Sequence, residues 1–219
     1  MVVTLPECLD AGSLPPLAEE LERAESPVVV VGAGEEIFCR GLRLHGLDEA
    51  DYEAAVGPFL RVVRALRTGP AAIAFVDGDA RGAGLGIAAA CDLVIATPRA
   101  RFGLSELWFG LWPAAIHPIL AERMSVARLR WLAITGRSLD VEEAMHLGLV
   151  DRGANSRDAV EVALAEIRRA EPQAVRRYKS MTAPLDAVAE GARTTLDRLA
   201  HPEVQRRMKA FSEGLAPWP

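Results

Sequence analysis

Short all-apolar runs alternate with amphipathic segments through the first half of the chain. Val2–Leu5 predicts a short strand, and Leu14, Leu17 and Leu21 fall on one side of a helix over residues 11–24. "PVVVVGAG" then predicts a strand ending in a turn. Four successive valines suit a strand covered on both faces, as in a parallel sheet. A polar segment with Arg40, Arg43, His45 and Asp48 follows. Val56, Leu60, Val63 and Leu66 mark a helix over 51–67, Ala71–Val76 a second buried strand, and "DLVIAT" a third. This rhythm predicts an α/β fold with parallel strands and right-handed crossovers.

Beyond Trp112 the pattern turns mostly helical. Asp140 and Glu143 have capping-box spacing, Gly148 closes that helix, and "LVD" (149–151) predicts a last short strand. From Ser156 onward the chain predicts two or three amphipathic helices, interrupted at Pro184 and Pro202, with an irregular tail after Gly214. No linker, repeat or low-complexity segment divides it. The expected organisation is a core over 1–155 and a helical region over 156–219.

One stretch breaks the periodicity. "GDARGAGLGIAAACD" (78–92) sets glycines at 78, 82, 84 and 86 directly after the strand "AAIAFV". Clustered glycines let a backbone approach something closely. A helix starting there presents unpaired N–H groups to a ligand oxygen and suits a developing oxyanion, although tight helix-to-sheet packing would need the same glycines. A dinucleotide site is disfavoured. "VVVVGAGEE" lacks the third glycine, and Glu35 and Glu36 would repel a pyrophosphate.

Composition narrows the function further. A net charge of -5 leaves no basic face for nucleic acid. Cys8, Cys39 and Cys91 are separated, with no CxxC pair, and the four histidines form no ligand set, so no metal site is expected. No apolar run reaches the ~20 residues of a membrane span, and the start of the chain lacks a secretory pattern. A cytoplasmic protein with reduced thiols is expected.

Four stretches, in order, resemble the crotonase (enoyl-CoA hydratase/isomerase) superfamily: "GAGEEIFCRGLRL" (32–44), "GDARGAGLGIAAACDLVIA" (78–96), "RFGLSELWFGLWPAAIHPIL" (101–120) and "TGRSLDVEEAMHLGLVD" (135–151). Within it, "FGLSELWFGLWPAAIHPIL", "RRYKSM" and the closing "PW" are most similar to the dehydratase of polyketide β-branching cassettes. The resemblance implies a crotonase-like spiral of ββα turns with a helical C-terminal trimerisation region, assembled as a homotrimer or hexamer. It implies dehydration of a hydroxymethylglutaryl thioester on an acyl carrier protein to the methylglutaconyl thioester. No resident cofactor is implied, the acyl group being carried on phosphopantetheine or coenzyme A. Enoyl-CoA isomerisation or hydration, decarboxylation of the glutaconyl product, and a non-catalytic helper role are the alternatives.

The resemblance also implies roles. The backbone N–H groups of Leu42 and Ala83 form an oxyanion hole, and Glu106 in "LSEL" is the catalytic carboxylate. A second carboxylate common in hydratases would fall at Gly86. The substrate's own carboxylate calls for an arginine, with Arg43 or Arg81 expected ahead of Arg40. His117 is a candidate second acid, and Tyr178 and Lys179 fall where the family holds the pantetheine or nucleotide end. Asp92 matches a family position but suits a helix-end acceptor. Trp108, Phe109 and Trp112 are expected in core or subunit packing rather than in a substrate wall.

Overall fold

The computed structural model describes residues 1–34, 36–43 and 49–218. Glu35, His45 and Asp48 of the sequence reading lie outside the described residues. The order is β1 (Val2–Leu5), α1 (Leu14–Glu22), β2 (Val28–Gly32), β3 (Ile37–Cys39), α2 (Glu49–Thr68), β4 (Ala72–Val76), β5 (Asp79–Arg81) and α3 (Ala83–Ala90). Then come β6 (Leu93–Ala96), β7 (Arg101–Gly103), a 3-10 turn (Glu106–Phe109), α4 (His117–Ala121), α5 (Val126–Thr135), α6 (Val141–His146) and β8 (Arg152–Gly153). The chain closes with α7 (Asp158–Ile167), α8 (Pro172–Thr182), α9 (Leu185–Leu199) and α10 (Pro202–Ser212).

The strands sort into two parallel sheets, β1-β2-β4-β6-β8 and β3-β5-β7. From β2 onward successive strands alternate between them. β2, β4 and β6 enter the larger sheet in chain order, and β3, β5 and β7 enter the smaller one beside them. α2 follows the first pair and α3 the second, so each coil of the chain adds one strand to each sheet and then crosses over. This is the spiral of ββα turns.

The apolar runs become the larger sheet, as their hydrophobicity requires. Every residue of β4 is buried, and one face of that sheet is covered by Val160, Ala163 and Leu164 of α7 packing on Val29, Ile73, Phe75 and Ile95. The predicted strand "LVD" is displaced: β8 begins three residues later, at Arg152, and pairs with Ile95 and Ala96. The predicted capping box forms, with Asp140 accepting from the Glu143 N–H at 2.9 Å and Glu143 accepting from the Asp140 N–H at 3.3 Å. The C-terminal region holds four helices rather than two or three, because the chain also breaks between Ile167 and Pro172.

Candidate active site

The smaller sheet builds the site. Its three parallel strands lie side by side, so their carboxyl ends open together, about 4.8 Å from strand to strand. After β3 come Arg40 and Leu42, after β5 come Gly82 and Ala83, and after β7 come Ser105 and Glu106. All six line one cavity. Phe59 of α2, Phe109, Trp112, Ile116 and α9 close the remaining sides.

Leu42 and Ala83, both in the lining, each carry a backbone N–H at a turn. Leu42 sits in a parallel bridge to Leu9. That bridge uses the Gly41 carbonyl (2.8 Å) and the Arg43 N–H (2.8 Å), which turns the Leu42 N–H away from Leu9. Ala83 is the first residue of α3, where N–H groups have no partner within the helix. Among the described residues neither N–H has a hydrogen-bond partner. Gly41 brings the two turns together. It has φ +88°, and a Cβ there would stand 2.9 Å from the Ala83 nitrogen.

Glu106 is the acid of the cavity. The residue as a whole is part-exposed, but Oε2 of its carboxyl is buried with no hydrogen-bond partner. Burial pushes its pKa up to about 7, against the weaker pull of the Glu106 and Ser105 backbone N–H groups. A carboxyl titrating there can both take and return a proton near neutral pH. Gly82, the residue before the Ala83 donor, lies against Oε1 of this carboxyl.

Gly86 explains why there is no second carboxylate. A Cβ at residue 86 would overlap the Ile116 Cγ2 methyl and stand 2.9 Å from its Cβ, so Ile116 fills the space. Glu106 is the only carboxylate lining the cavity among the described residues.

Several expected site residues lie elsewhere. Arg43 points to Asp10 (3.5 Å) on the surface. Arg81 runs under β7, donating to Asp79 (3.3 Å) and Ser138 (3.0 Å). Arg40, ranked behind both, is the cation that lines the cavity, and its ion-pair partner is the half-exposed Glu7 at 3.0 Å. The left-handed Gly41 (φ +88°) turns the chain between Arg40 and Arg43, so the two side chains leave the end of β3 in different directions. His117 begins α4 outside the lining, which takes Pro113, Ala115 and Ile116 from that stretch.

Lys179 is buried far from the cavity. It donates to the Pro70 carbonyl and to Asp92 Oδ2, both at 2.6 Å, while Asp92 also accepts from the Ala72 N–H at 2.7 Å. The pair pins α8 to the start of β4, so Asp92 accepts from a strand N–H and a lysine rather than at a helix end. Desolvation lowers the Lys179 pKa, with Asp92 opposing it. Phe109 and Trp112, expected in packing, are cavity walls, while Trp108 packs edge-on against Trp218 with centroids 5.1 Å apart. Spacing alone could not divide the three, because the turn from Glu106 to Phe109 and the left-handed Gly110 reorient each residue.

A spiral of ββα turns thus brings a buried carboxyl and two unpaired amides to the carboxyl ends of one small sheet. The chain belongs to the enoyl-CoA hydratase/isomerase family, whose pattern matches residues 8–216. It is 28% identical over 225 residues to the bacillaene synthase dehydratase PksH of Bacillus subtilis, covering 97% of this chain and 85% of that one. The crystal structure of PksH from Bacillus subtilis superposes with a TM-score of 0.80 at 25% identity, over 97% of this chain and 93% of the other. That of an enoyl-CoA hydratase from Mycobacterium avium gives 0.82 at 27% identity, over 99% and 92%.

Proposed function

We propose that the protein is a dehydratase of β-hydroxyacyl thioesters, and that its substrate is a hydroxymethylglutaryl group on an acyl carrier protein. Glu106 takes the proton from the carbon next to the thioester carbonyl. The carbonyl oxygen becomes an enolate oxygen held by the N–H groups of Leu42 and Ala83. The enolate then re-forms the carbonyl and expels the β-hydroxyl, to which Glu106 returns its proton. Water leaves and a methylglutaconyl thioester remains. One acid serves both transfers when both groups leave from the same face.

The observation that carries this reading is the buried, unpartnered Oε2 of Glu106 beside two unpaired amides. Each oxyanion donor is worth about 10²–10³ in rate. Arg40 supports an acyl chain ending in a carboxylate, because it is the cation at the wall. Similarity to PksH supports a carrier-bound substrate. The acyl carrier protein as partner, and assembly as a homotrimer or hexamer, belong to the same proposal.

The test is to incubate the protein with hydroxymethylglutaryl-carrier protein, methylglutaconyl-carrier protein and crotonyl-CoA, and to follow mass. Loss of 18 mass units (one water) from the first substrate supports the reading. Loss of carbon dioxide from the second, hydration of the third alone, or no turnover of any overturns it.

A further inference from the structure

The loop that carries Glu106 is tied down from outside the spiral. Its carbonyls at Trp108, Gly110 and Trp112 accept no described backbone N–H. Trp108 accepts instead from Arg207 Nη1 (2.9 Å) and Gly110 from Arg198 Nε (3.0 Å), while Trp112 shares the Thr195 hydroxyl (3.3 Å) with the Gly191 carbonyl of α9 (3.0 Å). The Arg198 guanidinium also lies over the Trp112 ring, 5.5 Å from its centroid, and Trp112 is a cavity wall. Phe109 and Leu111 pack with Leu199, Val204 and Met208. The loop thus faces the cavity with its acid and the C-terminal helices with its carbonyls.

We infer that Arg198 is a positioning residue for Glu106, the centre of a three-point clamp on the 105–112 loop formed with Thr195 and Arg207. Arg198 holds the loop at two points. Its Nε holds Gly110, the left-handed residue that closes the Glu106 turn, and its plane backs Trp112. Without it, nothing else on α9 or α10 donates to Gly110 among the described residues. The acid then swings and water reaches it. The inference rests on the reading of Glu106 as the proton-transfer group.

Arg198→Met keeps an aliphatic stem on α9 and removes the donor. The expected result is kcat/KM lowered about 10²-fold, the scale of a slight misplacement of a catalytic group. The pH inflection of kcat/KM moves toward acid by about one unit, as hydration undoes part of the burial effect. Arg198→Lys restores a donor and recovers part of both. Should Arg198→Met not fold by circular dichroism, Thr195→Val reads the same clamp with a smaller shift in the same direction. A folded variant with unchanged inflection and unchanged kcat/KM overturns the clamp. Glu106→Gln in parallel separates the two claims. Loss of the inflection there, with none of these changes in the clamp variants, overturns the clamp alone. An active Glu106→Gln enzyme with its inflection intact overturns the parent reading and the clamp with it.

Discussion

Oε1 of Glu106 lies against Gly82, so that a Cβ on residue 82 would stand 3.1 Å from it. The same residue has φ +49° and ψ -124°, a conformation that side-chain-bearing residues avoid. Gly82 therefore sets both the entry to α3, where Ala83 offers its N–H, and the place of the acid. Gly82→Ala is expected to cost about 1–3 kcal/mol in stability through backbone strain. It also lowers kcat by about 10²-fold by displacing the carboxyl. Chemical denaturation and steady-state kinetics on the same preparation check both.

Gly86 and Ile116 form a second close pair. The overlapping methyl is near the Ile116 backbone and cannot move aside as a long side chain would. Gly86→Ala should therefore destabilise by about 1–3 kcal/mol, despite alanine's better helix propensity. Ile116→Ala in the same chain makes room, and the double-mutant cycle should show a coupling of at least about 0.5 kcal/mol. For the same reason Gly86→Glu gives no gain in crotonyl-CoA hydration.

The raised pKa of Glu106 makes stability fall with pH. Between its ordinary value of 4.5 and about 7, the folded protein holds a proton that the unfolded chain has lost. Stability from this group is intact below 4.5, declines through that window, and stays lower above it by up to about 3 kcal/mol. Glu106→Gln removes the dependence. Urea melts of the two proteins should agree most closely near pH 4.5, with the variant the more stable at pH 8.

Arg40 distinguishes acidic from neutral acyl chains. Arg40→Met is expected to raise KM about 10-fold for a thioester ending in a carboxylate, the value of one charge-assisted hydrogen bond. KM for crotonyl-CoA stays unchanged. Equal effects on both substrates would remove Arg40 from substrate recognition.

The larger sheet was legible up to β8 because β2, β4 and β6 are continuous apolar runs, and length and flanking glycines identify such runs. The smaller sheet was not. β3, β5 and β7 are three residues each, and "DAR" and "RFG" carry no period long enough to detect. The site inherits this split. Leu42, Ala83 and Glu106 were reachable only by resemblance, and they meet because the three short strands end side by side. Which of Arg40 and Arg43 lines the cavity was hidden because the left-handed Gly41 turns the chain between them. The role of α9 and α10 at the cavity was hidden because contacts such as Arg198 to Gly110 span 88 positions in sequence.

The central claim is that Glu106 removes a proton next to a thioester carbonyl whose oxygen is held by the Leu42 and Ala83 amides. It is tested most directly with a glutaryl thioester on the carrier protein, which has the acidic carbon but no β-hydroxyl to lose. In heavy water the wild-type protein should exchange that carbon's hydrogen for deuterium, read as added mass, and folded Glu106→Gln should not. Exchange by Glu106→Gln at the wild-type rate would contradict the account.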